Sequence, residues 1–284
     1  MPKPLRAINA RLAPLLQGLC GPDDTVAVPG DWVADAGRFE RVEPWGVEPH
    51  VLGWLRLISV RDEALRALPG PAGVRFVNGR RWQFEEEKRL DVASKDQRLI
   101  EPRRHPSDFT YLWFDKWMEL GAGMGRATRS GRCVVKTEFG GSGRGVRVVD
   151  DKNFEAIHAW GDRLLDREQP LFVEPFDDAD AELSAHLTVT DDGVMFDGLC
   201  SLRSTPKGQF ESVEPLFDPP PALLDVRPVW EAVAERARAD GYRGPLGIDA
   251  AVKDGVVVRP IRDVNARWTM GRIALVTGRE VRNP

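Results

Sequence analysis

The chain has 284 residues, with 40 lysines and arginines against 44 aspartates and glutamates, and a formal net charge of -4 at pH 7. This length accommodates one large or two smaller domains, each with a hydrophobic core. A slightly acidic chain gives no reason to expect general nucleic-acid binding. No apolar run approaches the ~18–20 residues that a membrane span requires. We therefore expect neither a nucleic-acid partner nor a membrane partner.

The cysteine pattern and the N-terminal segment both indicate the cellular compartment in which the protein is expected. The three cysteines, Cys20, Cys133 and Cys200, are far apart and odd in number, which argues against a disulfide framework or a zinc knuckle. The N-terminal segment is too polar and too interrupted by proline for a signal peptide. Both observations favour a cytoplasmic protein.

The first hundred residues are predicted to form a separate module. The spacing of leucine and alanine predicts a helix over Leu5–Leu19. Short apolar runs predict strands at Thr25–Gly30 and Arg75–Asn78, whereas His50–Leu57 fits either a strand or a helix. The segment Trp82–Leu90, which contains three consecutive glutamates, is predicted to be an exposed helix. The module lacks the glycine fingerprint of a dinucleotide-binding fold.

Prolines and charges cluster at Glu101–Pro106 and predict a domain boundary, with residues 1–106 before it and residues 107–284 after it. Hydrophobic spacing in the second part predicts helices over Tyr111–Leu120, Asn153–Leu165 and Val229–Ala239. Apolar and alternating runs predict strands at Pro170–Phe176, Leu183–Val189, Gly193–Leu202, Gly241–Val252 and Val256–Asn265.

A glycine-rich loop between two apolar segments is the most informative pattern. Lys136 ends the first segment, and Val146–Val149 forms the second with valine at alternate positions. The loop between them consists of Gly140, Gly141, Ser142, Gly143, Arg144 and Gly145. Glycines let backbone N–H groups turn toward an anion, but in a P-loop a helix follows the glycines. Because a strand-like segment follows here, we predict a hairpin whose tip closes over a nucleotide triphosphate.

Four segments in order resemble the ATP-grasp superfamily. They are Val134–Lys136 with its glycine loop, Phe172–Phe176 followed by Glu182, Gly241–Asp249, and Arg262–Arg267. The resemblance covers about residues 107–275 and implies an α/β (α+β) fold. In that fold two α+β lobes, residues 107–173 and 174–284, clasp ATP. A smaller α/β N-terminal domain, residues 1–106, precedes them.

The resemblance implies a set of nucleotide-binding residues. Lys136 is expected to bind the α- and β-phosphates, and Lys116 resembles the family's earlier nucleotide-binding basic residue, although the segment between them is short. Glu174 is expected to accept a hydrogen bond from the adenine amino group, together with the backbone N–H of Phe176. Glu182 is expected to accept from the ribose hydroxyls. A surface helix for Lys116 and a solvated acidic loop for Glu182 are the alternatives.

The resemblance also implies a metal set, Asp249, Asp263 and Asn265, for Mg²⁺ or alternatively Mn²⁺. Hard oxygen ligands of this kind suit Mg²⁺, which bridges phosphate oxygens. Strand alternation places Asp263 and Asn265 on one face, and Arg267 as well if the strand persists. The Arg267 guanidinium is then expected to hold the γ-phosphate or a substrate carboxylate. The family more often has glutamate where Asp263 stands, and the shorter side chain bears on which metal is chelated.

Three further residues leave alternatives open. Arg203 and Lys207 lie in a basic loop that either covers the phosphates or the acyl substrate, or has no such role. His186 alternates with Ser184 and Thr188 on one strand face, and a buried sheet histidine is favoured over a catalytic base. The sequence supports no Ser-His-Asp or Cys-His arrangement.

The function that the resemblance implies is an ADP-forming carboxylate–amine ligase of amino acids or small peptides. A substrate carboxylate attacks the γ-phosphate of Mg–ATP, and an amine then displaces phosphate from the resulting acyl phosphate. Two alternatives remain: a small-molecule kinase with His186 or Asp249 as its base, and a non-catalytic nucleotide-binding regulatory protein. The oligomeric state is open, a homodimer being one alternative.

Overall fold

The computed structural model describes residues 13–17, 19–28, 33, 35–94, 97–102, 132–141, 144–150, 152–205 and 210–282. These residues divide into two compact units. The larger unit contains the described residues up to Asn78, Ala181–Ser204 and residues 210–282. The smaller unit contains those from Gly79 to Asp180 and Thr205. The domain limits stated above stay predictions.

The N-terminal part of the larger unit is helical. Residues 13–17 are helical, and a short 3-10 turn covers Ala36–Arg38. Three helices follow in the described residues, namely α1 (Pro49–Leu57), α2 (Asp62–Arg66) and α3 (Pro71–Val77). Proline occupies the first turn of α1 and of α3, where its missing N–H removes no intrahelical hydrogen bond. None of the helices that the structure describes is long and apolar enough to cross a membrane.

Both predicted strands of this part are wrong. Residues 24–28 form no strand, and Arg75–Val77 belongs to α3. Val74 and Val77 are buried three residues apart, whereas Phe76 is 55% exposed. This spacing is that of a helix face, which a short apolar run does not distinguish from a strand. The ambiguous segment from residue 50 to 57 lies in helix α1.

The smaller unit begins with helix α4 (Arg80–Arg89), whose prediction as a helix is confirmed and whose predicted exposure is wrong. Glu86 and Glu87 are only 4% and 1% exposed. The Gln83 amide donates to Glu87 Oε1 at 2.6 Å, so this buried carboxylate has a hydrogen-bond donor. Phe84 packs edge-on against Phe172 of the sheet, with ring centroids 6.1 Å apart.

The sheet of the smaller unit has the order β1-β4-β2-β3, and its described neighbours are all antiparallel. Its strands are β1 (Arg98–Ile100), β2 (Cys133–Gly141), β3 (Arg144–Val149) and β4 (Leu171–Pro175). Helix α5 (Phe154–Leu165) covers one face through the apolar cluster that includes Val135, Val173 and Ile157. The opposite face carries Lys136 and Glu174. Strands β2 and β3 form the hairpin that the glycine pattern predicts.

The larger unit contains a six-stranded antiparallel sheet of order β10-β7-β6-β5-β8-β9. Its strands are β5 (Ala181–Val189), β6 (Val194–Ser204), β7 (Phe210–Leu216), β8 (Gly244–Lys253), β9 (Val256–Asn265) and β10 (Val281–Arg282). A short helix α6 (Pro221–Leu224) precedes α7 (Arg227–Ala239), and α8 (Met270–Thr277) lies near the C-terminal end. The predicted helix and strands of this region are confirmed within a few residues.

The two long helices cover opposite faces of this sheet. Trp230 of α7 is fully buried and stacks on Phe196 of β6 with 6.3 Å between the ring centroids. Ile273 and Ala274 of α8 pack with Cys200 on the other face. Because α8 covers only part of that face, polar side chains of β5, β8 and β9 share it with an apolar core.

Gly271 in α8 is required by the close approach of His186. A Cβ at Gly271 would lie 2.3 Å from His186 Nε2, and His186 is 1% exposed. We expect Gly271→Ala to lower the free energy of unfolding by about 1–3 kcal/mol, because the ring has no space into which to move. Urea unfolding of Gly271→Ala, His186→Ala and the double variant measures this. The free energy of unfolding should fall less in the double variant than the sum of its decreases in the two single variants.

Gly53→Ala is the matched control, since Gly53 also lies in a helix but has open space around its Cα. It should be neutral or slightly stabilising, because alanine has the higher helix propensity. Equal losses for Gly271→Ala and Gly53→Ala would contradict the steric explanation.

Candidate functional site

A buried ion pair lies on the face of the smaller sheet opposite α5. Lys136 of β2 is directly opposite Phe172 of β4 in the register, and Val134 is opposite Glu174, so all four side chains share one face. Lys136 Nζ lies 2.7 Å from Glu174 Oε2, and the two side chains are 10% and 3% exposed. A pair this buried contributes little net stability because desolvation offsets the attraction. The pair is therefore weak evidence for stabilisation of the fold.

The glycine hairpin has a steric reason for its composition. Gly145 has a φ of 79°, and a Cβ there would lie 2.3 Å from Thr137 Oγ1. That hydroxyl donates to the carbonyl of Phe139 at 2.8 Å and braces the strand before the tip. Gly140 is exposed. Ser142, Gly143 and the side chain of Arg144 lie outside the described residues, as do Lys116 and Lys207.

The predicted adenine contact at Phe176 meets an existing hydrogen bond. Its backbone N–H donates to the carbonyl of Arg132 at 3.2 Å. The Arg132 guanidinium also lies 3.9 Å from the centroid of the Phe176 ring. Recognition of adenine by this N–H therefore requires the bond to Arg132 to be exchanged. Glu174, two residues earlier, is already placed on the sheet face beside Lys136.

In the larger unit the predicted metal residues lie together on one face of the sheet. Asp249 of β8 is directly opposite Asp263 of β9, and Gly247 is opposite Asn265. The Asn265 amide donates to Asp249 Oδ2 at 3.2 Å. Arg267 donates to Asn265 Oδ1 at 2.7 Å, so the four polar residues predicted from the sequence form one cluster in this unit. Strand alternation correctly predicted the shared face of Asp263 and Asn265, whereas β9 ends at Asn265 and Arg267 joins the cluster from beyond the strand.

Burial and the neighbouring carboxylate raise the pKa of Asp249 to about 7. Removal from water is the larger cause, and the negative charge of Asp263 is the second. The Ser184 hydroxyl donates to Asp249 Oδ1 at 2.9 Å and, with the positive charge of Arg267, partly offsets the shift. Asp249 retains some exposed surface, so solvent weakens these effects without reversing them.

The donor set fits a divalent cation of the Mg²⁺ type. Two carboxylates that repel one another and an amide oxygen are hard ligands, and a cation between the carboxylates would remove the repulsion that raises the pKa of Asp249. Among the described residues, no group of three or more histidine, cysteine, aspartate or glutamate side chains could hold a metal. Two carboxylates and one amide oxygen fill three positions, and Mg²⁺ commonly takes waters or phosphate oxygens in the others.

Glu182 lies on the same face of the larger sheet and has two donors. Arg262 Nη1 lies 2.5 Å from Glu182 Oε1, and the Ser204 hydroxyl donates to Oε2 at 2.7 Å. Glu182 lies within strand β5, so the alternative of a solvated acidic loop is wrong. Sequence reasoning missed Ser184, Ser204 and Arg262. The alternation of Ser184 with Glu182 on β5 was the one available signal among these.

The remaining predicted residues lie elsewhere in the larger unit. Arg203 is an exposed residue of β6 whose neighbour in the ladder is Ser212. The hydrogen bond from Arg282 is the main cause of the lowered pKa of Glu280, and the charge of Arg203 is a minor one. His186 lies on the same face as Glu182 but under α8. Burial and the charge of Arg272 lower the pKa of His186 to about 3. A neutral, enclosed imidazole with so low a pKa is poorly suited to act as a general base near neutral pH.

Comparison with known proteins gives one curated relative and many structural ones. No model of a protein family matches the chain. The [butirosin acyl-carrier protein]–L-glutamate ligase of Niallia circulans is 26% identical over 144 residues, which are 49% of this chain and 33% of that enzyme. This match thus spans a third of the length of the curated relative.

The solved structures show a shared fold at low sequence identity. D-cycloserine synthetase DcsG superposes with a TM-score of 0.60 at 14% identity, over 96% of this chain and 94% of its own. The phosphoribosylamine–glycine ligase of Thermotoga maritima gives a TM-score of 0.51 at 16% identity, over 73% of this chain and 52% of its own.

The raised pKa of Asp249 predicts how stability depends on pH. Between pH 4 and about 7 the folded state holds a proton that the unfolded state has lost, so the ligand-free protein should lose stability as pH rises through this window. Asp249→Asn removes the titration, and its amide can donate to Ser184 and accept from Asn265. We expect this variant to be more stable than the wild type by roughly 1–2 kcal/mol at pH 8.

Chemical denaturation at pH 5 and pH 8 measures this difference, which should be small at pH 5 and larger at pH 8. Asp192→Asn, in the exposed turn after β5, is the control and should show no such dependence. An Asp249→Asn variant that is less stable than the wild type at both pH values contradicts the explanation.

Proposed function

The chain has the ATP-grasp fold, and from this premise we propose that it is an ATP-dependent ligase. It joins a carboxylate to an amine and releases ADP and phosphate. The observation that carries the proposal is the cluster of Asp249, Asp263, Asn265 and Arg267 on one sheet face. Two facing carboxylates, an amide and a guanidinium are the groups that the transfer of a phosphoryl group from a metal-bound nucleotide requires.

The residues of the larger unit have distinct tasks in this proposal. Asp249, Asp263 and Asn265 would hold Mg²⁺, which neutralises charge on the phosphates when it is bound. Arg267, fixed by its hydrogen bond to Asn265 Oδ1, presents its guanidinium to the transferring phosphoryl group or to the substrate carboxylate. Its orientation is set before the substrate arrives, which lowers the reorganisation required during the reaction.

Lys136 and Glu174 have the corresponding tasks in the smaller unit. Lys136 binds phosphate oxygens, and Glu174 accepts from the adenine amino group. The ion pair between them holds both side chains on the sheet face before the nucleotide binds. The glycine hairpin between β2 and β3 would cover the phosphates, because the N–H of a glycine can approach an anion without an intervening Cβ.

This arrangement supports phosphoryl transfer to a carboxylate without a general base. A carboxylate is already a nucleophile at neutral pH, so the site needs only positioning and charge neutralisation. The buried His186, with its pKa lowered to about 3, is unsuited to remove a proton from a hydroxyl. Asp249, the other base that a kinase could use, is assigned to the metal in this proposal, which therefore takes a carboxylate as the acceptor of the phosphoryl group.

The curated relative suggests the first substrates to test. Its name pairs an acyl-carrier protein with L-glutamate. We therefore propose L-glutamate and other amino acids as the first amines or carboxylates, with a small peptide or a carrier-bound acyl group as the second substrate.

The test is an assay of ADP and free phosphate with ATP, Mg²⁺ and pooled amino acids, with mass detection of any adduct. We expect an amide product and stoichiometric ADP. Asp263→Ala and the isosteric Asp263→Asn should lower kcat/KM by about 10²–10³-fold, because each removes a charge that acts on the phosphoryl group. Glu231→Ala, which breaks an exposed ion pair on α7, is the control and should keep full activity.

Melting curves of all variants establish that the fold is intact. A stable phosphoester instead of free phosphate would identify a kinase. Nucleotide binding with no ADP release over the whole panel, or normal turnover by Asp263→Ala, would overturn the proposal.

A further inference from the structure

Two side chains that are not among the predicted nucleotide-binding residues, those of Arg262 and Ser204, form hydrogen bonds with Glu182. Arg262 Nη1 lies 2.5 Å from Oε1, and the Ser204 hydroxyl lies 2.7 Å from Oε2. The Arg262 and Glu182 side chains are 27% and 25% exposed, so the pair lies at the edge of the buried face rather than in open solvent. One oxygen of the Glu182 carboxylate therefore binds a guanidinium donor, and the other binds a hydroxyl donor.

A bulge in β9 is what brings Arg262 to this face. Asp249 is opposite Asp263 in the register, but two residues later Ala251 is opposite Arg259. Between these two pairs β8 contributes one residue and β9 contributes Pro260, Ile261 and Arg262. Simple alternation would point Arg262 away from the face of Asp263, and the extra residues release it from that rule.

The bulge is anchored in the core. Ile261 is 1% exposed, and the Trp230 indole N–H donates to the carbonyl of Pro260 at 2.8 Å. The backbone before Arg262 is thus fixed from the opposite face by α7. A side chain that begins from a fixed backbone and ends on a carboxylate has little freedom of its own, so Arg262 restricts the Glu182 rotamer.

Glu182 keeps acceptor capacity after these bonds are made. An ionised carboxylate offers about four lone-pair sites, of which Arg262 and Ser204 occupy two. The two that remain, one on each oxygen, match a ligand with two neighbouring hydroxyl donors. A carboxylate that was free to rotate would lose conformational entropy when such a diol binds.

We infer that Arg262, with Ser204, is a positioning residue that orients the Glu182 carboxylate toward a vicinal diol, the ribose of the nucleotide. The inference rests on the proposed function for the identity of that ligand. It assigns Arg262 no contact with the reacting atoms. Arg262 and Ser204 set the preference for a nucleotide that has both ribose hydroxyls over one that lacks them.

The experiment measures the affinity of ADP and of 2′,3′-dideoxy-ADP, in the presence of Mg²⁺, by calorimetry on the full chain. No second substrate is needed. The wild type should bind ADP more tightly than the dideoxy compound by about tenfold or more, as expected for hydrogen bonds to a charged group. In Arg262→Met and in Ser204→Ala this ratio should fall severalfold through weaker ADP binding, while the affinity for the dideoxy compound stays nearly constant.

Two further variants separate positioning from stability. Arg262→Lys retains the charge and a donor, and should restore part of the ratio. Arg236→Met breaks an ion pair with Asp240 on α7 and should leave the ratio at the wild-type value. If Arg262→Met does not fold, the inference is tested with Ser204→Ala, which keeps the ion pair, and with Arg262→Lys, which keeps the positive charge.

The outcomes are distinct. An unchanged ratio in Arg262→Met and Ser204→Ala, or an equal loss of affinity for both nucleotides, overturns the inference and leaves the proposed function standing. A wild type that binds ADP without preference over the dideoxy compound also overturns it. No binding of either nucleotide to the folded wild type contradicts the proposed function itself.

Discussion

The facing carboxylates of Asp249 and Asp263 are the constraint on which the larger unit depends. Directly opposed like charges on neighbouring strands are unfavourable, and partial burial makes them more so. Ser184 and Asn265 each supply a donor to Asp249, and Arg267 supplies a positive charge. These three residues reduce the repulsion without removing it. A cation would complete the cluster and would relieve the cost that the ionised Asp249 carboxylate imposes on the ligand-free fold.

In two other pairs a positively charged side chain contacts a carboxylate directly. Lys136 and Glu174 are almost fully buried in the smaller unit, whereas Arg262 and Glu182 lie at the rim of the larger sheet. In both pairs the charged partner restricts the orientation of the carboxylate. A carboxylate that is already oriented requires less ordering if a ligand binds to it. The larger sheet thus carries the Asp249–Asp263 cluster and the oriented Glu182 carboxylate on one face.

The sequence predicted the parts of this molecule that depend on short-range pattern. The hairpin after Lys136 and the shared face of Asp263 and Asn265 follow from local alternation, and both are confirmed. The strands predicted in the N-terminal part are wrong because a run such as Arg75–Val77 is too short to show its period. The three consecutive glutamates of helix α4 predict an exposed helix, yet Glu87 is 1% exposed and accepts a hydrogen bond from Gln83. Composition does not reveal such hydrogen bonds between buried polar groups.

Arg262 is the clearest example of a residue whose orientation the alternation of a single strand does not predict. It adjoins Asp263 in the chain, and the period of two assigns adjacent residues to opposite faces. The assignment fails because the ladder between β8 and β9 changes register between Asp249 and Ala251, which is a property of two strands together. A bulge depends on what the neighbouring strand and the helix beneath it offer, here a Trp230 indole that binds the Pro260 carbonyl. The pairing register with the neighbouring strand therefore decides which residues of a strand face a site. In β9 the change of register is what places Arg262 beside Glu182.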